Sequence, residues 1–176
     1  ELKSWDLPGR WEVASQGQGN LGDRMQRWFM HSLPSESSQA VLIGADCPRL
    51  KVDHLVQARG ILADRDSVLG PALDGGYYLI GLQGSWQTNA ARFATLFDHV
   101  PWSTEQVLSV TRNRLATAGL SYAELETRED VDTIAELRNL RRSLDQATGR
   151  DAALKDGIDR ILDGFSLFDL SNVDVR

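Results

Sequence analysis

An α/β fold with parallel strand pairing is predicted by three features of this 176-residue chain. Val41 to Ala45 is a short apolar run that stops on Asp46 and Pro48, so a strand delivers one carboxylate to its own C-terminal end, where open α/β sheets keep their chemistry. GPALDGGYYLIGL, from Gly70 to Leu82, sets Asp74 beside glycines ahead of a second strand-like run. Around both, apolar periodicity switches repeatedly between strand and helix, and a βαβ alternation implies parallel pairing. A further acidic segment, DVDT from Asp130 to Thr133, stands at another element boundary. Three acidic sites of this kind point to a metal-assisted reaction on a phosphorylated substrate.

Trp11 to Ser15 (WEVAS) is rich in strand formers and runs into a glycine-bearing turn, Gln16 to Asn20. From Leu21 the apolar positions Leu21, Met25, Trp28, Phe29 and Leu33 recur at helical spacing, with Asn20 as N-cap and Pro34 as stop. This helix turns its Met and aromatic stripe inward. After the Val41 to Ala45 strand comes a helix over about Val52 to Ala63, with Leu55, Val56 and Leu62 on one face, then a short strand from Ser67 to Leu69. Tyr77 to Leu82 is the next strand, behind the permissive Gly75-Gly76 pair. A helix follows over Thr88 to Leu96. Another, capped by Ser103 or Thr104, runs to about Ala118 with Val107, Leu108, Val110, Thr111 and Leu115 inward, and Gly119 ends it. Tyr122 to Leu125 reads as the last strand. A helix over Thr133 to Leu144 buries Ile134, Leu137 and Leu140, and a polar helix over Ala152 to Leu162 precedes the partly alternating FSLFDLSNVDVR. The composition changes after Gly149, which divides residues 1–149 from an appendage over 150–176.

An apolar fraction of 41% over this length supports one ordinary core. With 25 acidic against 19 basic residues the net charge is -6, which favours neither nucleic acid nor an anionic membrane surface. The single cysteine, Cys47, cannot form an intramolecular disulfide, and no apolar stretch approaches the length of a membrane span. A reducing, cytoplasmic compartment is expected. The chain opens on ELKSWD without an initiator methionine or a signal-peptide pattern, and so reads as a fragment or a trimmed chain.

An aspartate between a strand and Pro48 is aimed away from the sheet, where it can hold Mg²⁺ or Mn²⁺ against nucleotide phosphates; the plainer reading of Asp46 is a turn or cap residue. Cys47 reads as a small buried side chain. Asp74-Gly75-Gly76 is a strong hairpin signal in itself, but with Gly70-Pro71 before it and Tyr77-Tyr78 after it the loop suits a polar acceptor, Asp74 orienting or deprotonating it. Around Val131, Asp130 and Asp132 face opposite ways in extended backbone; Asp132 is the candidate second metal ligand, and preference for a helix N-terminus explains the pair almost as well. Gly17, Gly19 and Gly22 are a poor phosphate-loop signal, and Arg24 reads as a solvated arginine that could reach a phosphate. Trp102 could stack on a base or sugar, or plug a core edge. His31, His54 and His99 lack metal-ligand spacing and read as surface or partly buried structural residues.

VLIGADCPRL, VLGPALDGGYYLIGL, FDHVPWSTEQVL and DVDT, in this order over about Trp11 to Leu140, together resemble a bacterial family of type-A glycosyltransferase-like proteins, formerly of unknown function, associated with radical SAM and selenoprotein gene neighbourhoods. More distantly the pattern is similar to the nucleotidyltransferases of molybdenum-cofactor and phospholactate biosynthesis, which share the nucleotide-diphospho-sugar transferase fold. The resemblance implies a three-layer α/β/α arrangement with a mainly parallel mixed sheet, and a nucleotide bound with a divalent ion, Mg²⁺ or Mn²⁺. It places Asp46 and Asp132 at the two metal-ligand positions and Asp74, Gly75 and Gly76 on the acceptor-side loop; Tyr77 and Trp102 are expected as further substrate contacts from their own residue type and position. QGQGNLGDRM resembles a segment near the nucleotide, which carries Gly19, Leu21, Gly22 and Arg24 over as nucleotide-side residues; the family usually has an acid where this chain has Asn20.

One departure is large. Family members begin with a strand and a basic Pro-Gly-Lys-Thr-Arg-type loop for the nucleotide phosphates, whereas nothing equivalent precedes Trp11, and LPGR at Leu7 to Arg10 is misplaced for that role. The expected fold therefore lacks its N-terminal strand-loop-helix, and FSLFDLSNVDVR or a neighbouring subunit is expected to cover the sheet edge left open. Two functions follow. One is a metal-dependent transferase moving a glycosyl or nucleotidyl group from a nucleotide or nucleotide-sugar donor to a small polar acceptor, with homo-oligomerisation open. The other is an inactive nucleotide- or sugar-binding or oligomerisation module that kept the fold.

Overall fold

The Asn20 side chain accepts from the Asp23 N–H while Asp23 reaches back to the Asn20 N–H, and this reciprocal cap starts α1, Leu21–Ser32, in a computed structural model that describes residues 12–167. Contacts divide the chain into two units: Glu1–Ile43 with Lys51–Arg128, and Gly44–Leu50 with Glu129–Arg176.

The first unit holds β1 (Gln39–Ile43), α2 (Val52–Ile61), β2 (Ser67–Pro71), β3 (Tyr77–Gln83), α3 (Trp86–Ala94), α4 (Val107–Thr117) and β4 (Tyr122–Glu124). Its sheet order is β1-β3-β2-β4. β3 pairs antiparallel with both β1 and β2, and β4 pairs parallel with β2, so β1, β2 and β4 share one direction and β3 opposes them. The sheet is therefore mixed and mainly parallel in strand direction, but the parallel pairing expected for β1 and β2 gives way. The tight 72–76 turn returns β3 alongside β2, and β3 then occupies the place between them.

Helices cover both faces. On one, α2 lays Leu62 over Gly81, between Val41 and Val68; a Cβ on Gly81 would meet all three side chains within 3.3 Å. On the other, Met25 and Phe29 of α1, Phe93 of α3, and Leu108 and Leu115 of α4 pack on Ala40, Leu69, Ile80 and Leu82. A register shift at Gly70/Pro71 lets Tyr78 lie against Gly70 and turns Tyr77 toward this second core. Arg112 of α4 fastens β4 through two 2.7 Å bonds to Glu124.

Several local expectations are corrected. Residues 12–17 form no strand and are exposed, with Arg27 instead holding the carbonyls of Gln16 and Gln18 at 2.5 and 2.7 Å; Trp11 lies outside the described residues. β1 starts and stops two residues early, so Ala45 is exposed loop. Trp28 and Leu21 are solvent-facing; Met25, Phe29 and Leu33 are the buried stripe of α1. On α2 the buried face is His54, Ala58 and Leu62 at four-residue spacing, while Leu55 and Val56 are exposed. The N-cap of α4 is Gln106, and the Thr104 hydroxyl instead donates to Pro101 and accepts from the Gln106 N–H.

In the second unit α5 (Ile134–Ser143) starts on a Thr133/Glu136 capping box, and α6 spans Arg150–Leu167. Leu140, Leu144 and Ile158 form their shared core, Ile134 staying exposed, and Arg141 bonds Asp145 at 2.6 Å and Asp159 at 2.7 Å. Residues 165–167 continue α6 rather than alternating as a strand, and residues 168–176 of the predicted edge segment lie outside the described residues.

The carboxylates of Glu136 and Asp159 are held below their ordinary values of 4.5 and 3.8, Glu136 by the Asp132 and Thr133 N–H groups and Asp159 first by Arg141. In the first unit Arg128 and then His54 do the same to Glu126. A depressed native pKa adds stability above the unfolded value that is lost as pH falls through the native one. The melting temperature is therefore expected to hold from neutral pH down to about 5 and to fall progressively below about 4.5. Thermal melts between pH 7 and pH 3 check this.

Candidate functional site

Two of the acidic motifs meet within the second unit. The Val131 N–H donates to the Asp46 carbonyl at 2.9 Å, bringing the backbone of GADCP beside that of DVDT. Asp46 and Asp132 are both exposed, and neither carboxylate has a hydrogen bond or ion pair among the described residues. Gly44 leaves the Asp46 carboxylate room, since a Cβ there would lie 2.5 Å from Asp46 Oδ1. The DVDT order has a local cause as well. Thr133 caps α5, and Glu136 Oε2 accepts from the N–H groups of both Asp132 and Thr133 at 2.8 Å, which fixes the backbone on which Asp132 is carried. Cys47, beside Asp46, is buried.

No group of three or more His, Cys, Asp or Glu side chains is placed to hold a metal among the described residues. Two exposed carboxylates on adjacent backbone nevertheless fit one use well. Mg²⁺ is commonly held by one or two carboxylates together with substrate phosphates and water, rather than by an all-protein cage.

Asp74, in the first unit, forms its own turn. Its Oδ1 accepts from the Gly76 N–H at 2.8 Å, the Ala72 N–H donates to the Gly76 carbonyl at 3.0 Å, and the carboxylate is exposed. Gly75 is packed hard: at φ +89° its Cβ position lies 2.2 Å from the Glu105 carbonyl oxygen, and its own carbonyl accepts from the Leu108 N–H at 2.8 Å. The tyrosines that follow do not share a cavity with the turn. Tyr78 is buried and donates to the Glu126 carbonyl at 3.1 Å. Burial raises the Tyr77 hydroxyl pKa well above the ordinary tyrosine value. No well-aligned hydrogen bond reaches that hydroxyl among the described residues, although the Thr111 hydroxyl, which donates to the Val107 carbonyl, lies beside it.

The glycine-rich segment is also built by its own side chains. Gly19 adopts φ +102°, and its carbonyl accepts from Arg24 Nε at 3.0 Å, so Arg24 serves the loop. Leu21 is exposed. Gly22 is where Trp102 lands: a Cβ there would sit 2.5 Å from the Phe97 carbonyl oxygen and 2.8 Å from Trp102 Nε1. Trp102 thus closes the edge of the core over α1. Gly22→Ala is expected to destabilise the protein by about 1–3 kcal/mol, read as a lower denaturation midpoint at constant m.

One cluster escaped the sequence. His54 in the first turn of α2 meets Arg128 and Glu126, from the segment after β4. Arg128 and Glu126 lie 74 and 72 residues beyond His54 along the chain, and no motif links them to it. The Lys51 N–H donates to His54 Nδ1 at 2.8 Å, so Nε2 carries the ring proton; it faces Glu126 Oε1 at 3.2 Å and Arg128 Nη2 at 2.7 Å.

The family described as "Uncharacterized protein conserved in bacteria (DUF2064)" matches residues 1–104. The chain belongs to this family. Among solved structures, the DUF2064 chain is similar to the "putative nucleotide-diphospho-sugar transferase from Desulfovibrio desulfuricans G20", at 28% identity and a TM-score of 0.65. The likeness covers 82% of this chain and 63% of that one, so this chain spans less than two thirds of that protein's length. It establishes the three-layer α/β class. No curated protein matches the chain. Among the described residues no helix is long and apolar enough to cross a membrane.

Proposed function

We propose that the DUF2064 chain is a Mg²⁺- or Mn²⁺-dependent transferase that moves a glycosyl or nucleotidyl group from a nucleotide donor to a small polar acceptor. The observation that carries this reading is the 2.9 Å bond from Val131 to Asp46, which sets two exposed carboxylates on neighbouring backbone. Its support from outside the chain is the likeness to a protein named a "putative nucleotide-diphospho-sugar transferase". Asp46 and Asp132 would hold the ion, which when bound offsets charge on the donor phosphates. Asp74 would orient an acceptor hydroxyl or take its proton; its exposed carboxylate accepts from the Gly76 N–H in a turn whose Gly75, at φ +89° against Glu105, has no room for a side chain.

A second reading, a nucleotide- or sugar-binding module without turnover, is favoured by one observation. Arg24 and Arg27, which hold the glycine-rich segment, are spent on the carbonyls of Gly19, Gln16 and Gln18. A thermal-shift series with nucleotides and nucleotide-sugars, with and without Mg²⁺ or Mn²⁺, tests the proposal. It predicts a stabilisation by one nucleotide class that requires the ion, because ligands stabilise the state they bind. Absence of any shift in the folded chain would refute it.

A further inference from the structure

We propose that His54 and Arg128 form an oxyanion subsite for a phosphate or diphosphate group, and that the Glu126 carboxylate is its exchangeable internal occupant. One contact in this cluster is unfavourable by itself. Arg128 Nη2 and His54 Nε2 lie 2.7 Å apart, and both present protons, since Nδ1 of His54 is committed as acceptor to the Lys51 N–H. Two converging donors at that separation require an anion across them. Glu126 Oε1 supplies it, bonded to Arg128 and 3.2 Å from His54 Nε2.

The three side chains differ sharply in exposure. His54 and Arg128 retain 10% and 19% of their side-chain surface, whereas Glu126 retains 62%. Both donors are thus anchored in the fold and the acceptor hangs at the mouth. Anchoring is explicit: His54 closes the first turn of α2 through both its N–H and Nδ1, and Arg128 ties its backbone to β2 through the Pro71 carbonyl and the Leu73 N–H. The Glu126 backbone is held apart from its side chain, by the Tyr78 hydroxyl on its carbonyl. The carboxylate can therefore leave without moving the segment. A phosphate oxygen carries more negative charge than a carboxylate oxygen and accepts from an Arg–His pair in the same way.

Position supports function. β2 and β4 run parallel, and Pro71 and Glu126 lie at and just beyond their C-terminal ends, the side of an α/β sheet where phosphorylated ligands collect. The inference adds an anion contact to the transferase reading and needs no metal, so its failure would leave that reading untouched.

Glu126→Gln frees the subsite while keeping size and shape. Titrated with inorganic pyrophosphate in metal-free buffer, this variant is expected to bind at least tenfold more tightly than the unmodified chain. Its melting temperature, lowered by loss of the carboxylate, is expected to recover as pyrophosphate or inorganic phosphate is added. Adding Arg128→Met on the same background should abolish both effects. Equal pyrophosphate affinity with and without Glu126, or recovery of the same size from chloride at matched ionic strength, would overturn the proposal and leave the trio as a structural ion-pair network. If the doubly substituted chain does not fold, the affinity ratio and the chloride control decide by themselves.

Discussion

Asp46→Asn is expected to weaken Mg²⁺-dependent nucleotide binding by at least about tenfold, with turnover lost in proportion, and to leave global stability within about 0.5 kcal/mol. The loss follows from charge. An amide keeps the shape of the carboxylate but contributes no formal charge to a divalent ion, and the chain offers no third acidic or histidine side chain nearby to replace it among the described residues. Stability is spared because the Asp46 carboxylate is exposed and bonds nothing among the described residues, while its backbone carbonyl, which receives the Val131 N–H, is untouched. Asp132→Asn should behave alike, since the cap of α5 uses the Asp132 N–H and the Thr133 side chain rather than the Asp132 carboxylate. The double variant should be little worse than either single one, as for groups that act on one ion. Nucleotide titration calorimetry with and without Mg²⁺, paired with thermal melts, reads both halves of this expectation.

Gly75→Ala is expected to cost about 3 kcal/mol and to lower the melting temperature by about 6–12 °C. Two penalties coincide at this residue. Its φ of +89° is strained for any residue with a Cβ, and the added carbon would stand 2.2 Å from the Glu105 carbonyl oxygen and 2.6 Å from the Glu105 Cα. Both obstacles are backbone, so no rotamer change relieves them. Relief would have to come from displacing the loop ahead of α4, breaking the 2.8 Å bond from the Leu108 N–H to the Gly75 carbonyl. Gly60, where nothing lies within 4 Å of the Cβ position, is the control: Gly60→Ala in α2 should be neutral or stabilising. Thermal melts of the two variants side by side separate local crowding from any general glycine effect.

Much of the fold was legible because local signals agreed with it. Asn20, Thr133 and Pro34 mark helix ends through capping and blocking, which act over three or four residues and so are written in the sequence. Strand neighbours are not local. The β1-β3-β2 order depends on a hairpin returning between two strands, and WEVAS has strand-forming residues without a ladder partner among the described residues, so propensity could not decide it. On α2 the apolar pattern is only partly the inward face: Val52 and Val56 face solvent while His54 is enclosed with Ala58 and Leu62. The candidate site divides in the same way. Asp46 and Asp132 could be read from motifs that the Val131 bond then brings together, whereas the His54–Glu126–Arg128 cluster joins residues with no shared motif. The glycines near Asn20 illustrate the converse, since Gly22 exists for Trp102 and Phe97 and its spacing mimics a phosphate loop.

The central claim is that Asp46 and Asp132 share one divalent ion with a nucleotide donor. Mn²⁺ titration followed by electron paramagnetic resonance, in the presence of a saturating nucleoside diphosphate, tests it most directly. One bound Mn²⁺ per chain is expected, lost in both Asp46→Asn and Asp132→Asn although each variant stays folded. Mn²⁺ binding that is the same in the unmodified chain and in both variants would contradict it.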